Sequence, residues 1–360
     1  MKILLNGYFH KNFGDDLFFH MIRERYDNHM FYVPIESESS SVYVGEKNVK
    51  VLKVNKFIRA IDKVLFKVNY KLSYYNLLNY LTDLSVLIGG SMFQEVSGDI
   101  RDLKRIDALP ISNKSLYILG VNFGPYKTNM YLEKCKNYLS KASDVCFRDN
   151  ESYSLFKELN NTRVATDIVF GIEKIFPKSK NENNTCIISV IDFSERDNLK
   201  AYANDYEKFL IHNIEKQLSK GRKVVLTSFC KYEGDENAIN RIMDICNKKQ
   251  YKGISVHYYN GINWRETLEI ISESSCIIAS RFHGMILGLT YGIPTLPIIY
   301  NEKFKKILND IECSEFGVDL EDLKEFDKKE FEFIPQQDLT MLKQKAESQF
   351  FELDKVLCKG

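Results

Sequence analysis

The sequence has no long apolar run and no closely spaced pair of cysteines. Its 360 residues include no apolar run approaching the roughly 18 residues that would predict a membrane-spanning helix. The N-terminal stretch MKILLNGYFH has too short an aliphatic core for a signal peptide. The eight cysteines form no CxxC motif, and the nearest two are eleven positions apart, so neither a zinc site nor a disulfide framework is predicted. We therefore expect a cytoplasmic protein.

An excess of charge of either sign is also missing. Fifty Lys and Arg residues stand against 49 Asp and Glu residues, for a net charge of +1, which argues against general nucleic-acid binding. No cluster of His, Cys and acidic residues predicts a metal site, and His257 in the run SVHYY is interpreted as structural. We therefore predict no nucleic acid, no metal ion and no cofactor, and any anion-binding site must be local.

Short runs of Ile, Val and Leu do alternate with amphipathic stretches, the pattern of parallel strands joined by crossover helices. The length favours two domains. We predict an α/β protein with two Rossmann-like domains. Strands are predicted near 2–6, 85–88, 115–119, 144–147, 185–190, 223–227, 255–258, 276–279 and 295–298, and first-half helices near 15–27, 56–80, 127–141 and 149–159.

The best candidate for a linker is the polar segment PKSKNENNT at 177–185. It predicts an N-terminal domain over 1–176, on the acceptor side, and a C-terminal domain over 185–335, on the donor side. Helical spacing near the end predicts a C-terminal helix within 336–360, for which packing across the domain boundary is one alternative.

The segment CIIASRFHGMILGLTYGIPTLPIIY at 276–300 is predicted to form a strand, a turn, a helix and a second strand. Ser280, Arg281 and His283 then follow the carboxyl end of a strand, where ligands bind in open α/β sheets. Arginine offers a fork of donors to phosphate or carboxylate, and a helix that begins near Gly284 directs free N–H groups to the same anion. Alternatively, Arg281 bonds carbonyl groups and His283 caps the helix.

Polar residues follow other predicted strands as well. Asn12, Gly14, Asp15 and Asp16 precede the first helix; two carboxylates repel phosphate, so this is no phosphate loop, and Asp15 is interpreted as a helix cap, with acceptor-hydroxyl binding as the alternative. In the loop GGSMFQE at 89–95, either the glycines serve only the backbone or Gln94 and Glu95 bind a sugar.

Two further cations are candidates with a structural alternative each. Arg148 follows a strand end and either faces a ligand or pairs with Asp149. Lys303 either helps to bind a donor or belongs, with Lys305 and Lys306, to a solvated helix.

The run SRFHGMILGLTYGIPTLPIIYNEKFKK resembles the signature of the polysaccharide pyruvyl transferase family, which has Arg-x-His, a glycine-proline turn and Tyr-x-x-Lys, here Tyr300 to Lys303. Further stretches resemble the family in its order. They are Asn12 with Gly14 to Asp16, GGSMFQE at 89–95, VNFGP at 121–125 and RDNES at 148–152. The resemblance extends over residues 1 to about 306.

This resemblance implies a GT-B-like fold, in which the two domains face each other across a cleft that holds the active site. It implies transfer of a pyruvyl group from phosphoenolpyruvate, the donor substrate, to sugar hydroxyls, with ketal formation, in cell-surface polysaccharide biosynthesis. The site residues that we predict with it fall into three groups. They are Arg281 and His283 as catalytic residues, Arg281, Arg148, Ser280, Gly284 and Lys303 for the donor, and Asn12, Asp15, Asp16, Gln94 and Glu95 for the acceptor.

One position departs from the family. Members commonly have an arginine just after the first strand of the second domain, where this chain has Ile191. Arg196 or Lys231 could replace it, or the donor differs. A glycosyltransferase that uses a nucleotide-sugar and a noncatalytic saccharide-binding protein of the same pathway are therefore kept as alternatives.

The predicted helix at 56–80 is basic and amphipathic. Its basic residues recur at spacings of three or four beside an apolar face; they are Lys56, Arg59, Lys63, Lys67 and Lys71, with Phe57, Ile61, Val64, Leu65, Val68 and Leu72. Such a helix either presents a solvated face or binds the inner face of a membrane, which a lipid-linked saccharide acceptor would explain.

Overall fold

The structure is a computed structural model that describes residues 1–36, 43, 45–68, 74–109 and 114–358. These residues form two compact units. The N-terminal unit comprises Met1–His10, Asp15–Gly171 and Leu342–Gly360, and the C-terminal unit comprises Lys11–Gly14 and Ile172–Met341. Residues 177–182 of the predicted linker precede a strand within the C-terminal unit.

The N-terminal unit is built on a seven-stranded parallel sheet with the order β3-β2-β1-β4-β5-β6-β7. Its middle strands are short, apolar and buried on both faces, as parallel strands covered by helices must be. The strands are β1 (Lys2–Gly7), β2 (Met30–Glu36), β3 (Val49–Val54), β4 (Leu84–Ile88), β5 (Ser115–Val121), β6 (Asp144–Phe147) and β7 (Thr162–Val164).

The helices that the described residues form between these strands are α1 (Phe13–Arg25), α2 (Lys56–Val68), α3 (Tyr74–Leu81), α4 (Ile100–Asp107), α5 (Asn129–Leu139) and α6 (Asn150–Phe156). Helices α4, α5 and α6 contribute Leu103, Tyr131 and Phe156 to a core that also includes Ile118 of β5 and Val145 of β6. Within the predicted helix at 56–80, residues 69–73, which include Lys71 and Leu72, lie outside the described residues.

The C-terminal unit has a six-stranded parallel sheet with the order β10-β9-β8-β11-β12-β13. The strands are β8 (Asn183–Val190), β9 (Lys223–Ser228), β10 (Ile254–Tyr258), β11 (Ser274–Ala279), β12 (Thr295–Ile299) and β13 (Val318–Asp319). The helices that follow them are α7 (Ala203–Ser219), α8 (Asp235–Lys248), α9 (Trp264–Ser272), α10 (Phe282–Thr290) and α11 (Glu302–Asp310). Ile188, Leu226 and Ile278 of the sheet pack with Phe209 of α7 and Ile242 of α8 in one buried core.

The chain ends in two helices, α12 (Thr340–Ser348) and α13 (Phe351–Leu357). From Leu342 onward they belong to the N-terminal unit. Arg25 of α1 donates to Glu347 at 2.7 Å and to Asp354 at 2.7 Å. The buried Gln349 between the two helices accepts from the backbone N–H of Gly120 and donates to the carbonyl of Thr166. The C-terminal segment is therefore part of the N-terminal core.

All nine predicted strands lie within strands of the structure, and the prediction of a two-domain α/β fold is confirmed. Strands β2, β3, β7 and β13 and helices α4, α7, α8 and α9 were not predicted from the sequence. In the part of the chain that the structure describes, no helix has the length and apolarity needed to cross a membrane.

Candidate functional site

The strand order of the C-terminal sheet changes direction between β8 and β11. These two strands pair at the centre of the sheet, and the order runs outward from them to β10 on one side and to β13 on the other. Ligands of open α/β sheets bind beyond the carboxyl ends of the strands at such a point. Arg281 follows β11 and precedes α10, Glu233 lies between β9 and α8, and Asp235 is the first residue of α8. The candidate site is therefore the edge where these loops meet.

Arg281 is buried, with 7% of its surface exposed, and its guanidinium is held by two carboxylates. Nε donates to Asp235 at 3.0 Å and Nη2 donates to the other oxygen of the same carboxylate, which makes the contact bidentate. Nη1 donates to Oε2 of Glu233. These carboxylates raise the pKa of Arg281 against the opposing effect of its burial, so the side chain is a fixed cation.

The two carboxylates differ in their surroundings. Asp235 is fully buried, and it also accepts the backbone N–H groups of Phe229 and Cys230 at 2.9 Å each. Between the two acids, Gly234 adopts φ +86°, and a Cβ added there would lie 3.0 Å from the Asp192 side chain. A glycine is therefore required at the turn that points both carboxylates to Arg281.

A second guanidinium reaches the same cluster. Arg196 donates from Nη2 to Oε2 of Glu233 at 2.6 Å, the oxygen that also accepts from Arg281. Although burial opposes ionisation, the positive charges and hydrogen bonds of these two arginines lower the pKa of Glu233 to about 2. Lys231, the other candidate to replace the missing arginine, is mostly exposed and lies 3.4 Å from Glu236.

His283 packs against Gly14, which belongs to the same unit. A Cβ added to Gly14 would lie 1.8 Å from its Nδ1 atom, so the ring lies directly on the glycine backbone. The backbone N–H of Gly14 donates to Oδ1 of Asn12, and the Asn12 amide lies 3.5 Å from Glu233. The structure thus brings the predicted residues Asn12, Arg281 and His283 into one part of the C-terminal unit.

Ser280 and Gly284 serve the packing around Arg281. Ser280 is fully buried and accepts from the hydroxyl of Tyr206 at 2.7 Å. A Cβ on Gly284 would meet the Ser189 hydroxyl at 2.8 Å, so the glycine lets α10 approach β8. Lys303 lies in the first turn of α11, where its backbone N–H donates to the capping side chain of Asn301.

The predicted acceptor residues Asp15, Asp16, Gln94 and Glu95 belong to the N-terminal unit. Asp16 is buried and accepts from the hydroxyl of Tyr43, and Asp15 lies beside it in the first turn of α1. Glu95 accepts from the backbone N–H groups of Lys127 and Thr128 and from the Thr128 hydroxyl. These contacts give Glu95 a structural role ahead of α5, while Gln94 is partly exposed.

Arg148 also lies in the N-terminal unit and is buried. Nη1 donates to Asp167 at 2.7 Å and Nη2 donates to Asn122 at 2.6 Å. A Cβ on Gly90 would lie 2.7 Å from the guanidinium, so this glycine lets the loop after β4 close over Arg148. The hydrogen-bond partners of Arg148 thus include Asp167 and Asn122, whereas Asp149 accepts from the backbone of Ser152 and caps α6.

The strand order of the N-terminal sheet also changes direction, between β1 and β4. A cavity of about 170 Å³ lies beside these two strands. Asn6, Gly7, His10, Leu87 and Met92 contribute to its lining. Asn6 is 7% exposed, and its amide nitrogen has no hydrogen-bond partner among the described residues. Burial and the charge of Arg59 lower the pKa of His10, which favours the neutral ring. A polar ligand group would satisfy the Asn6 donor.

Glu233, Asp235 and Asn6 were not predicted from the sequence. Glu233 and Asp235 flank a glycine in TSFCKYEGDE, beyond the end of β9 at Ser228, and this pair of acids is the signal that could have indicated them. Asn6 lies inside an otherwise apolar strand, where a polar side chain has to find a partner or a ligand.

Comparison with known proteins shows two kinds of similarity. Residues 12–302 match the family model described as polysaccharide pyruvyl transferase. The amylovoran biosynthesis protein AmsJ of Erwinia amylovora is 20% identical over 262 residues, which cover 67% of this chain and 62% of that protein. The match thus spans less than two thirds of the relative.

Solved structures agree in fold. The UDP-GlcNAc 2-epimerase of Methanocaldococcus jannaschii, in complex with UDP-GlcNAc and UDP, superposes with a TM-score of 0.58 at 12% identity, with 100% of both chains covered. The Anabaena protein HepE, in complex with UDP and glucose, has a TM-score of 0.51 at 11% identity, again with 100% of both chains covered. At such identities the likeness concerns the fold alone, and it confirms the predicted GT-B-like pair of Rossmann-like domains.

Proposed function

Because this chain belongs to the polysaccharide pyruvyl transferase family, we propose that it transfers a pyruvyl group from phosphoenolpyruvate to two hydroxyls of a saccharide in cell-surface polysaccharide biosynthesis. The observation that carries the proposal is the position of Arg281 and His283 beyond the carboxyl end of β11, at the point where the C-terminal sheet changes direction. Similarity to an amylovoran biosynthesis protein supports a role in polysaccharide synthesis.

The reaction makes defined demands on the site. Two hydroxyl oxygens bond to the central carbon of the donor, the bond from that carbon to the phosphate oxygen breaks, and the methylene carbon gains a proton to become a methyl group. Of the two protons that the hydroxyl groups lose, one accounts for the proton gained by the methyl group, and the other leaves with inorganic phosphate. The donor therefore needs a cationic clamp and a proton carrier.

Arg281 and His283 are suited to these two tasks. Arg281 is a fixed cation whose Nη1 atom points to the partly exposed Glu233, so this donor lies on the accessible side of the cluster. His283 lies two residues further along, in α10, and we assign it the role of general acid and base. Its ring is fixed by the close approach of Gly14.

The saccharide acceptor is our proposed partner for the N-terminal unit. The cavity beside Asn6 and His10 is smaller than the roughly 300 Å³ of a typical ligand pocket, so it suits one part of a saccharide rather than a whole nucleotide-sugar. Hydroxyl groups would accept from the Asn6 amide and exchange hydrogen bonds with a neutral His10.

We further propose that α2 holds the protein at an anionic membrane that carries a lipid-linked acceptor. Phe57, Ile61 and Val64 lie on one side of α2 and are 72%, 43% and 61% exposed. Lys56 and Arg59 are exposed on the remaining, polar sides of the helix. Exposed apolar residues flanked by basic ones are typical of helices that lie in the membrane interface.

The test combines a thermal-shift titration with a phosphate-release assay. Phosphoenolpyruvate should raise the melting temperature of the wild type, and R281A should lose this shift. H283A should keep the shift but release phosphate on the order of 10²-fold more slowly. R265A, which changes an exposed arginine on α9, should match the wild type.

Two outcomes would contradict the proposal. A shift with UDP-sugars and none with phosphoenolpyruvate would favour a glycosyltransferase. Binding of phosphoenolpyruvate without phosphate release, with saccharide acceptors present, would favour a noncatalytic saccharide-binding protein.

A further inference from the structure

Two guanidinium groups converge on a single oxygen of Glu233. Arg281 Nη1 and Arg196 Nη2 both donate to Oε2. Two arginines around one oxygen is an arrangement that also suits a phosphate or carboxylate oxygen of a ligand. We propose that Arg196 and Arg281 together form the anion site of the donor, and that the Glu233 carboxylate competes with the incoming anion for these two side chains. This inference rests on the proposed function and deepens it.

The burial of the acids distinguishes their roles. Asp235 is fully buried, binds two backbone N–H groups and holds two of the three nitrogens of Arg281, so it fixes the orientation of that side chain. The side chains of Glu233 and Arg196 are each 30% exposed. An anion that arrives from solvent therefore meets Glu233 and Arg196 and leaves the contact between Asp235 and Arg281 intact.

The charges of the cluster explain why Glu233 acts as a competitor. Arg196 and Arg281 supply two positive charges, and Glu233 and Asp235 supply two negative charges, so the four side chains sum to zero. A phosphate group gains little from a neutral cluster, and it is repelled by Glu233 at short range. Neutralising Glu233 leaves one net positive charge and frees a donor on each guanidinium.

Arg196 lies in the loop after β8, which begins at Ile191. The chain has no arginine directly after β8, and Arg196 lies five residues further in the same loop. Its contact with Glu233 brings a guanidinium to Arg281. Lys231 pairs with Glu236 instead. The loop that follows β8 thus supplies the second guanidinium of the cluster.

The experiment measures binding of inorganic phosphate by calorimetry in a low-salt buffer without other multivalent anions. We expect E233Q to bind phosphate more tightly than the wild type, on the order of tenfold. The matched control is E236Q, which removes the same charge three residues away, from a side chain that contacts Lys231. E236Q should bind phosphate as the wild type does.

A second pair of variants keeps the test valid if E233Q folds poorly. R196Q should weaken phosphate binding roughly tenfold, while K231Q, which removes the same charge from the other candidate, should not. The inference is overturned if E233Q binds phosphate no better than E236Q, if R196Q and K231Q behave alike, or if neither the wild type nor E233Q binds phosphate. Because the readout is phosphate binding, failure of pyruvyl transfer with this pattern intact would count against the proposed function alone.

Discussion

The ionised carboxylate of Glu233 links the candidate site to the stability of the fold. Its pKa of about 2 lies below the ordinary value of 4.5 because the charges and hydrogen bonds of Arg281 and Arg196 outweigh the effect of burial. A carboxyl whose pKa is lower in the folded state stabilises the fold above its unfolded pKa, and that stabilisation is lost as the pH falls. The relevant window therefore runs from about pH 4.5 down to about pH 2.

We predict that E233Q flattens the dependence of stability on pH in the upper part of this window. The free energy of unfolding, measured with urea between pH 4.5 and 3, should fall less steeply with decreasing pH in E233Q than in the wild type. E236Q is the control, since its side chain pairs with Lys231 and not with the two arginines. Equal slopes for E233Q and the wild type would show that Glu233 is not held by this pair of cations.

Gly14 offers a way to disturb His283 without changing it. A methyl group at Gly14 would overlap the imidazole at 1.8 Å from Nδ1, so the ring has to leave its position in G14A. If His283 transfers the proton, we expect phosphate release by G14A to fall on the order of 10²-fold, with binding of phosphoenolpyruvate retained.

G171A is the matched control for G14A. A methyl group at Gly171 meets side-chain ends of Glu347 and Met21 at 3.1 Å and 3.5 Å, which can shift. Its phosphate release should equal that of the wild type. If G14A releases phosphate at the wild-type rate, the position of the His283 ring is not important for the reaction.

Residue types and strand ends in the sequence were enough to place Arg281 and His283 together, but not to identify the partners of Arg281. Asp235 is 46 positions away in sequence and reaches Arg281 only because the loops after β9 and β11 meet at one edge of the sheet. For Glu95, the predicted role itself differs from the contacts in the structure. A carboxylate after a strand suggested a ligand contact, whereas its oxygens accept from the segment ahead of α5.

At the scale of elements, apolar composition indicated the central strands and failed at the others. Strand β2 contains Pro34, which argues against an inner strand. The proline is tolerated because it follows the last residue pair with β1, Leu4 with Tyr32, and continues alongside β3, where it pairs with Leu52. In β3, most residues are partly or fully exposed, so no apolar run marks it.

Helix α2 carries a prediction at this scale. The reversal K56E/R59E should weaken sedimentation with anionic phosphatidylserine vesicles, because each basic residue near such a surface contributes about 1 kcal/mol. Binding to neutral phosphatidylcholine vesicles should change little. K178E/K180E, which makes the same change in net charge at two exposed residues of the C-terminal unit, is the control. Equal sedimentation of K56E/R59E and K178E/K180E would contradict the proposed membrane contact.

At the scale of the whole molecule, the N-terminal unit is discontinuous in sequence. Its last segment, Leu342–Gly360, follows the entire C-terminal unit. The helical spacing near the end of the chain predicted a helix there, but no local pattern states which core that helix joins. Long-range contacts determine which core the helix joins. For example, Arg163 pairs with Asp144 at 2.8 Å, and Arg163 also donates to the carbonyl of Gln349.

Gln349 is the residue through which this discontinuity can be tested. Its side chain is fully buried; it accepts from the N–H of Gly120 at the end of β5 and donates to the carbonyl of Thr166 after β7. Q349A leaves both backbone groups buried without this partner, which should cost about 2 to 3 kcal/mol of unfolding free energy. Hydrogen exchange should accelerate in β5 and β6 and remain unchanged in β8 of the C-terminal unit. Q337A, at a partly exposed position of the C-terminal unit, should leave exchange at the wild-type rate throughout. If Q349A does the same, the C-terminal segment does not stabilise the N-terminal unit through this side chain.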